Sequence, residues 1–233
     1  MNSTRRLILA ALATTGFLPG AALAQQPPGP FTLLQPPQPM EGSGKIEVLE
    51  FFSYACPHCF KLEPFLESWA KKQGADVVVK RVPGAGSDSW TALAVLYYSL
   101  EAMGKLEALH MKAFNAMHQD GVNLGQAKVR EAWLAKNGVD VAQYQGVEKS
   151  FSVQSRVGRA KQLMAAYKVD GVPMVVVNGK YVTSNAHAGG PDRVVAVLDQ
   201  LVAMGRKDLG LADPHAQKAA ATPAKAPAAP AKK

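Results

Sequence analysis

The chain has 233 residues, 26 Lys and Arg against 18 Asp and Glu, a formal charge of +8 and only two cysteines. Arg5 and Arg6 carry part of that excess, and Lys218, Lys225, Lys232 and Lys233 against Asp213 place about +3 beyond the last predicted helix, which leaves about +3 for the body. There is no dense basic stripe, so nucleic acid is excluded as a partner.

The first residues read as an export signal. Arg5-Arg6 is a positive start, Leu7 to Ala13 begins an apolar run, and Ala22-Leu23-Ala24 is a small-x-small cleavage pattern. Thr14, Thr15, Gly16, Pro19 and Gly20 interrupt the run, which is too short for a membrane anchor. Residues 1–24 are therefore expected to be removed. Thr4-Arg5-Arg6 leaves both general and twin-arginine export open. What remains, roughly 200 residues, is enough for one core with an insertion. No later segment is apolar enough to span a membrane, and the mature protein is expected to be periplasmic and monomeric.

Residues 25–44 are rich in Pro and Gln and predict an extended segment, with Phe31-Thr32-Leu33-Leu34 as a short edge strand. Lys45 to Phe52 is apolar and β-branched enough for a buried strand, and it runs into Ser53-Tyr54-Ala55 and the cysteines. Leu62, Phe65, Leu66 and Trp69 then recur at helical spacing until Gly74. Asp76 to Val82 is a second strand, so the opening is βαβ. Helical periodicity follows over Trp90–Met103, Lys105–His118, Gln126–Asn137 and Phe151–Tyr167, broken by Gly104, Gly121, Gly125 and Gly138. Met174 to Val177 returns to a strand, Asn178-Gly179 is a hairpin turn, and Lys180 to Thr183 is the partner. Pro191 opens a last helix whose stripe is Val194, Val195, Leu198, Leu201 and Val202. The predicted organisation is a two-part α/β unit (45–86 and 169–207) around an all-helical insertion (87–168). The Ala/Pro/Lys tail (212–233) is expected to be disordered.

The chemistry gathers at Cys56-Pro57-His58-Cys59. Two thiols at this spacing can close a small disulfide, supply half a metal site or pass a disulfide onward. Export places them where disulfides persist, but a bridge over two residues closes almost no loop and is a poor staple. Zinc needs about four ligands, and no second pair exists. A c-type haem needs His after the second cysteine, where Phe60 stands. No metal or cofactor is expected. Cys56 falls at the N-cap and Pro57 at the first helical position, so the Cys56 sulfur faces free N–H groups and the positive end of the helix dipole. A thiolate there is stabilised, and His58 adds a donor or a charge. Cys56 is then the reacting thiol and Cys59, less exposed, the resolving one. Stabilising the thiolate stabilises the reduced form, so the pair should donate disulfides rather than reduce them.

Gly171-Val172-Pro173 precedes the Met174 strand, where a proline lacks the ladder N–H and is often cis or at an edge. This resembles the proline loop of the thioredoxin fold, in which a cis-proline faces the cysteine pair and the residue before it pairs with substrate peptide. The combination of strand, CPHC, helix, helical insertion and GVP-strand-hairpin-helix resembles the DsbA family of exported thiol oxidases. The resemblance covers about Lys45 to Lys207, and Pro64 sits where thioredoxin relatives kink the helix. It implies a thioredoxin fold with an inserted helical domain, and a substrate-binding role for Val172 and Pro173. It also implies a buried acid at Glu50 beneath the site, with Lys80 as its lysine partner. Spacing alone reads Glu50 as an edge acid and Lys80 as solvated. The implied partners are reduced or unfolded exported proteins with free cysteines, and a DsbB-like, quinone-linked inner-membrane oxidase for reoxidation. A reductase or isomerase is the alternative in the same class, and a peptide-binding chaperone the alternative outside it. His110, His118 and His187 read as surface or packing residues, Met103, Met111, Met117 and Met164 as core, and Tyr54 as core, site wall or groove lining.

Overall fold

The computed structural model describes residues 29–42 and 44–212. The expected leader, and the expected tail apart from Ala212, lie outside the described residues. Five strands, β1 (Thr32–Leu33), β2 (Ile46–Phe52), β3 (Val77–Pro83), β4 (Met174–Val177) and β5 (Tyr181–Thr183), form one sheet in the order β1-β5-β4-β2-β3. β2 runs parallel to β3 and antiparallel to β4, and the β4–β5 and β5–β1 pairs are antiparallel. The short edge strand expected near Phe31 is β1.

β2 is the axis of this arrangement. All seven of its residues, IEVLEFF, are buried, because it is flanked by strands on both sides and covered on both faces. On one face Ile46 and Val48 join Val175 and Val177 of β4. They pack on α1 (Pro57–Ala70) through Leu62 and Leu66 and on α8 (Pro191–Asp208) through Val194, Leu198 and Leu201. On the other face Leu49, Phe51 and Val176 meet a larger core supplied by helices. Two glutamates, Glu47 and Glu50, lie within this buried strand, and burial of a carboxyl is tolerated only with partners or as the neutral acid.

Between β3 and β4 the chain makes five helices: α2 (Asp88–Ala102), α3 (Leu106–His118), α4 (Ala127–Lys136), α5 (Val141–Glu148) and α6 (Phe151–Ala166). Leu93, Leu96, Leu100, Phe114, Leu124 and Leu134 form their shared core. Met103, Met111, Met117 and Met164 pack against that core as expected. Ser87, Asp140 and Ser150 cap α2, α5 and α6 by accepting from backbone N–H groups three residues on.

Two elements had no forecast from periodicity. α5 has eight residues and buries only Tyr144, so it presents no repeating apolar stripe. α7 (Asn185–Ala188) is a single turn, capped by Ser184 and ended by Gly189 at φ 81°. Gly84 follows β3 because the chain passes close to Trp90 there: a Cβ on it would lie 2.8 Å from the indole Cε3.

Leu198 is fully buried where α8 meets the sheet. Leu198→Ala should lower unfolding free energy by about 2–5 kcal/mol in a denaturant titration, with no change in the titration of the active-site thiol.

Candidate active site

The turn from β2 into α1 carries the thiol pair. Cys56 is the N-cap of α1 in an extended conformation (φ −91°, ψ 117°), and Pro57 follows as the first helical residue. The Cys56 sulfur accepts from the Cys59 backbone N–H at 3.4 Å. Pro57 and His58 are exposed around it, whereas Cys59 is fully buried. Both cysteines are free.

The two thiols are electrostatically unequal. The Cys56 thiol falls to about 6, chiefly because the Cys59 S–H donates to its sulfur. The backbone N–H groups of Cys59 and His58 add to this against an opposing burial effect, and the His58 charge contributes last. Cys59 is pushed far above the ordinary thiol range by burial, with Cys56 and Glu50 acting in the same direction. One thiol is thus a thiolate at neutral pH and its neighbour holds its proton tightly.

The Val172–Pro173 peptide bond is cis, and Val172 O lies 3.2 Å from the Cys56 sulfur, to which the protonated thiol donates. The loop before β4 therefore meets the turn before α1 across the sheet. Beside this junction is a groove of about 1000 Å³, lined among others by His58, Lys61, Leu33, Tyr167, Val172 and Pro173. Asn185, from α7, donates its side-chain amide to the His58 carbonyl at 3.0 Å and holds the turn from the groove side. Tyr54 lines no part of the groove, being 1% exposed and directed inward.

Beneath the thiols the structure corrects one assignment. Glu50 is fully buried, as the resemblance implied, but Lys80 is not its partner. In the parallel β2–β3 ladder Glu50 stands opposite Arg81, while Lys80 stands opposite Leu49 and projects from the other face. Lys80 binds Glu47 at 2.7 Å and Glu41 at 3.1 Å. Arg81 Nε lies 3.4 Å from Glu50 Oε2, and both Glu50 oxygens lack hydrogen bonds. Burial raises Glu50 well above the carboxylate range, and the nearby Glu63 charge raises it further; Arg81 opposes both.

Glu63, His110 and Arg81 belong to this cluster and were not singled out from sequence. Glu63, on α1, takes two N–H groups of Arg81. Burial alone would raise it, but His110 and Arg81 together hold it below the usual carboxylate range. His110, on α3, is buried and places Nδ1 2.7 Å from the Tyr54 hydroxyl. His118, two turns on, donates Nε2–H to the Tyr54 carbonyl at 2.8 Å and stacks on Phe60 with rings 5.1 Å apart. Surface or packing was the expected role for both histidines; they pack against aromatic rings and also hold the residue two before Cys56 at both ends. Their spacing of eight on one helix face was the only signal, and it resembles any core pair.

The chain matches the DSBA-like thioredoxin domain over residues 47–201. It is 43% identical over 205 residues to the thiol:disulfide interchange protein DsbA of Bordetella parapertussis, covering 88% of this chain and 97% of that one. The DsbA of Burkholderia cepacia is 38% identical over 204 residues, 85% and 96% of the two chains. Among solved structures, Pseudomonas aeruginosa DsbA superposes with a TM-score of 0.74 at 35% identity, over 78% of this chain and 95% of that one. The oxidoreductase NmDsbA1 of N. meningitidis gives 0.70 at 28% identity, over 78% and 94%.

In the reduced protein, thiolate absorbance should rise in one transition near pH 6, vanish in Cys56→Ser and persist in Lys80→Met. Because the folded thiol is more acidic than the unfolded one, it stabilises the reduced protein fully above the unfolded thiol's range, and this stabilisation is lost as pH falls through about 6. Denaturant titrations of reduced wild type and Cys56→Ser should therefore converge as pH is lowered past that point.

Proposed function

The chain belongs to the DSBA-like thioredoxin domain family and is a thiol:disulfide oxidoreductase, and from that premise we propose that it works in the periplasm as an oxidase, donating the Cys56–Cys59 disulfide to newly exported proteins. The observation that carries the direction of transfer is the asymmetry of the pair: a thiolate at about 6 beside a thiol held protonated. Stabilising one sulfur as an anion favours the reduced dithiol over the disulfide, which makes the disulfide the stronger oxidant.

Exchange begins when a substrate thiolate attacks the Cys56 sulfur. The Cys56–Cys59 bond breaks and its electron pair leaves on the Cys59 sulfur, which takes a proton. A second substrate thiol, having released its own proton, attacks the substrate sulfur of the mixed disulfide and expels Cys56 as a thiolate. Counted from its dithiol form, the substrate has lost two electrons and two protons; the protein ends as one thiol and one thiolate, and the other proton is the one shed when the attacking thiolate formed. The Cys59 N–H that meets the Cys56 sulfur stabilises the leaving anion. Glu50, a carboxyl that burial raises well above the usual range, is the internal proton donor suited to Cys59, on which its charge acts. Val172 and Pro173 support a binding role through their place at the sulfur and along the groove, where an extended peptide fits beside the loop. Reoxidation falls to a DsbB-like, quinone-linked partner at the inner membrane, as the family implies.

Equilibration against glutathione redox buffers, with free thiols counted by gel shift, should find the pair reduced under conditions that leave most protein disulfides intact. A potential near that of thioredoxin, about −270 mV, would overturn the oxidase reading. Cys59→Ala should accumulate mixed disulfides with reduced client proteins on Cys56, and Cys56→Ser should accumulate none.

A further inference from the structure

Two buried carboxyls and one guanidinium do not balance. Glu63 is gripped by two N–H groups of Arg81, whereas Glu50 receives only a 3.4 Å approach from Arg81 Nε and no hydrogen bond. The two carboxyls repel one another across Arg81, so the cluster favours one ionised and one neutral acid. Which of them carries the proton matters, because Glu50 raises Cys59 and is itself raised by Cys56.

His110 breaks the tie. Its Nε2 is buried, has no hydrogen-bond partner and lies 3.4 Å from Glu63 Oε1. Its other nitrogen is 2.7 Å from the Tyr54 hydroxyl. Burial raises Tyr54 well above the usual phenol range, so Tyr54 keeps its proton and has it available for Nδ1. With the hydroxyl donating to Nδ1, the ring hydrogen sits on Nε2, facing Glu63. The rings of Tyr97 of α2, Phe52 of β2 and Phe114 of α3 meet the imidazole edge-on. Toward α1 and β3, His110 faces Glu63 and, behind it, Arg81.

We infer that His110 is a positioning residue for disulfide exchange: by aiming Nε2–H at Glu63 it keeps that carboxylate ionised and leaves the shared proton on Glu50, beneath Cys59. Tyr54 fixes the tautomer that makes this possible. When the internal disulfide opens, the Glu50 proton passes to the Cys59 sulfur, Glu50 becomes a carboxylate, and it regains a proton from solvent. The helical segment between β3 and β4 thus reaches the chemistry through one imidazole. This rests on Cys56 and Cys59 being the exchanging pair.

Carboxyl-carbon NMR of the reduced protein at neutral pH, with labelled glutamate assigned through Glu50→Gln and Glu63→Gln, should show Glu50 protonated and Glu63 ionised. The reverse would overturn the proposal. In His110→Leu the proton should move to Glu63. Glu50 should then ionise, and Cys56 should bind its proton about tenfold more tightly, a rise of about one unit in its thiolate titration. His110→Gln, whose amide offers both a donor and an acceptor, should restore the wild-type titration. In the Glu50→Gln background His110→Leu should produce no further rise. A rise that persists there marks a packing defect and overturns the proposal, as does an unchanged carboxyl spectrum in folded His110→Leu. Should His110→Leu not fold, the wild-type and His110→Gln spectra decide. Neither readout depends on whether the pair donates or accepts disulfides, so failure here is distinguishable from failure of the oxidase reading.

Discussion

The free N–H groups at the start of α1 set the terms for everything around them. A helix beginning at Pro57 offers its first donors to whatever lies at the N-cap, and here that is a sulfur. Once the sulfur is an anion, its surroundings must neither repel it nor drown it in solvent. The buried Cys59, the half-enclosed turn and a buried acid whose proton is held more tightly than usual all satisfy that demand. An ionised Glu50 at the same place would oppose the helix terminus directly.

β2 shows how the fold meets this condition. A strand covered on both faces and hydrogen-bonded to strands on both sides is a well-anchored platform, and it carries the chain to the turn at Ser53. The same burial makes its two glutamates costly, and the sheet treats them differently. Glu47 faces the side where Lys80 reaches it, so it is paired conventionally. Glu50 faces the side closed by α1 and is left with a long approach from Arg81. Strand alternation alone separates these two fates by three residues.

That alternation also explains what the sequence disclosed and what it withheld. IEVLEFF, CPHC and the Val-Pro entering β4 are contiguous signals, each with a local physical cause, and together they located the thiol pair and the facing loop. The partner of Glu50 depends on the register between β2 and β3, which adjacent Lys80 and Arg81 cannot reveal by themselves. A shift of one residue would exchange them. Glu63 and His110 were harder still, because each looks ordinary on its own helix and acquires meaning only where α1 and α3 meet. α5 and α7 were missed for want of length, since one or two turns carry too few apolar positions to show a period.

The sheet order carries a temporal consequence. β2, α1 and β3 are neighbours in sequence and can associate as soon as they are made, but β4 pairs with β2 only after all five intervening helices. Closing so long a loop is slow relative to local contacts. The cysteine pair therefore comes into being before the Val172–Pro173 loop that faces it, and for that interval the nascent chain presents an activated thiol without its guard. The protein must itself fold as a cysteine-bearing chain, exposed to the same exchange chemistry it later performs on others.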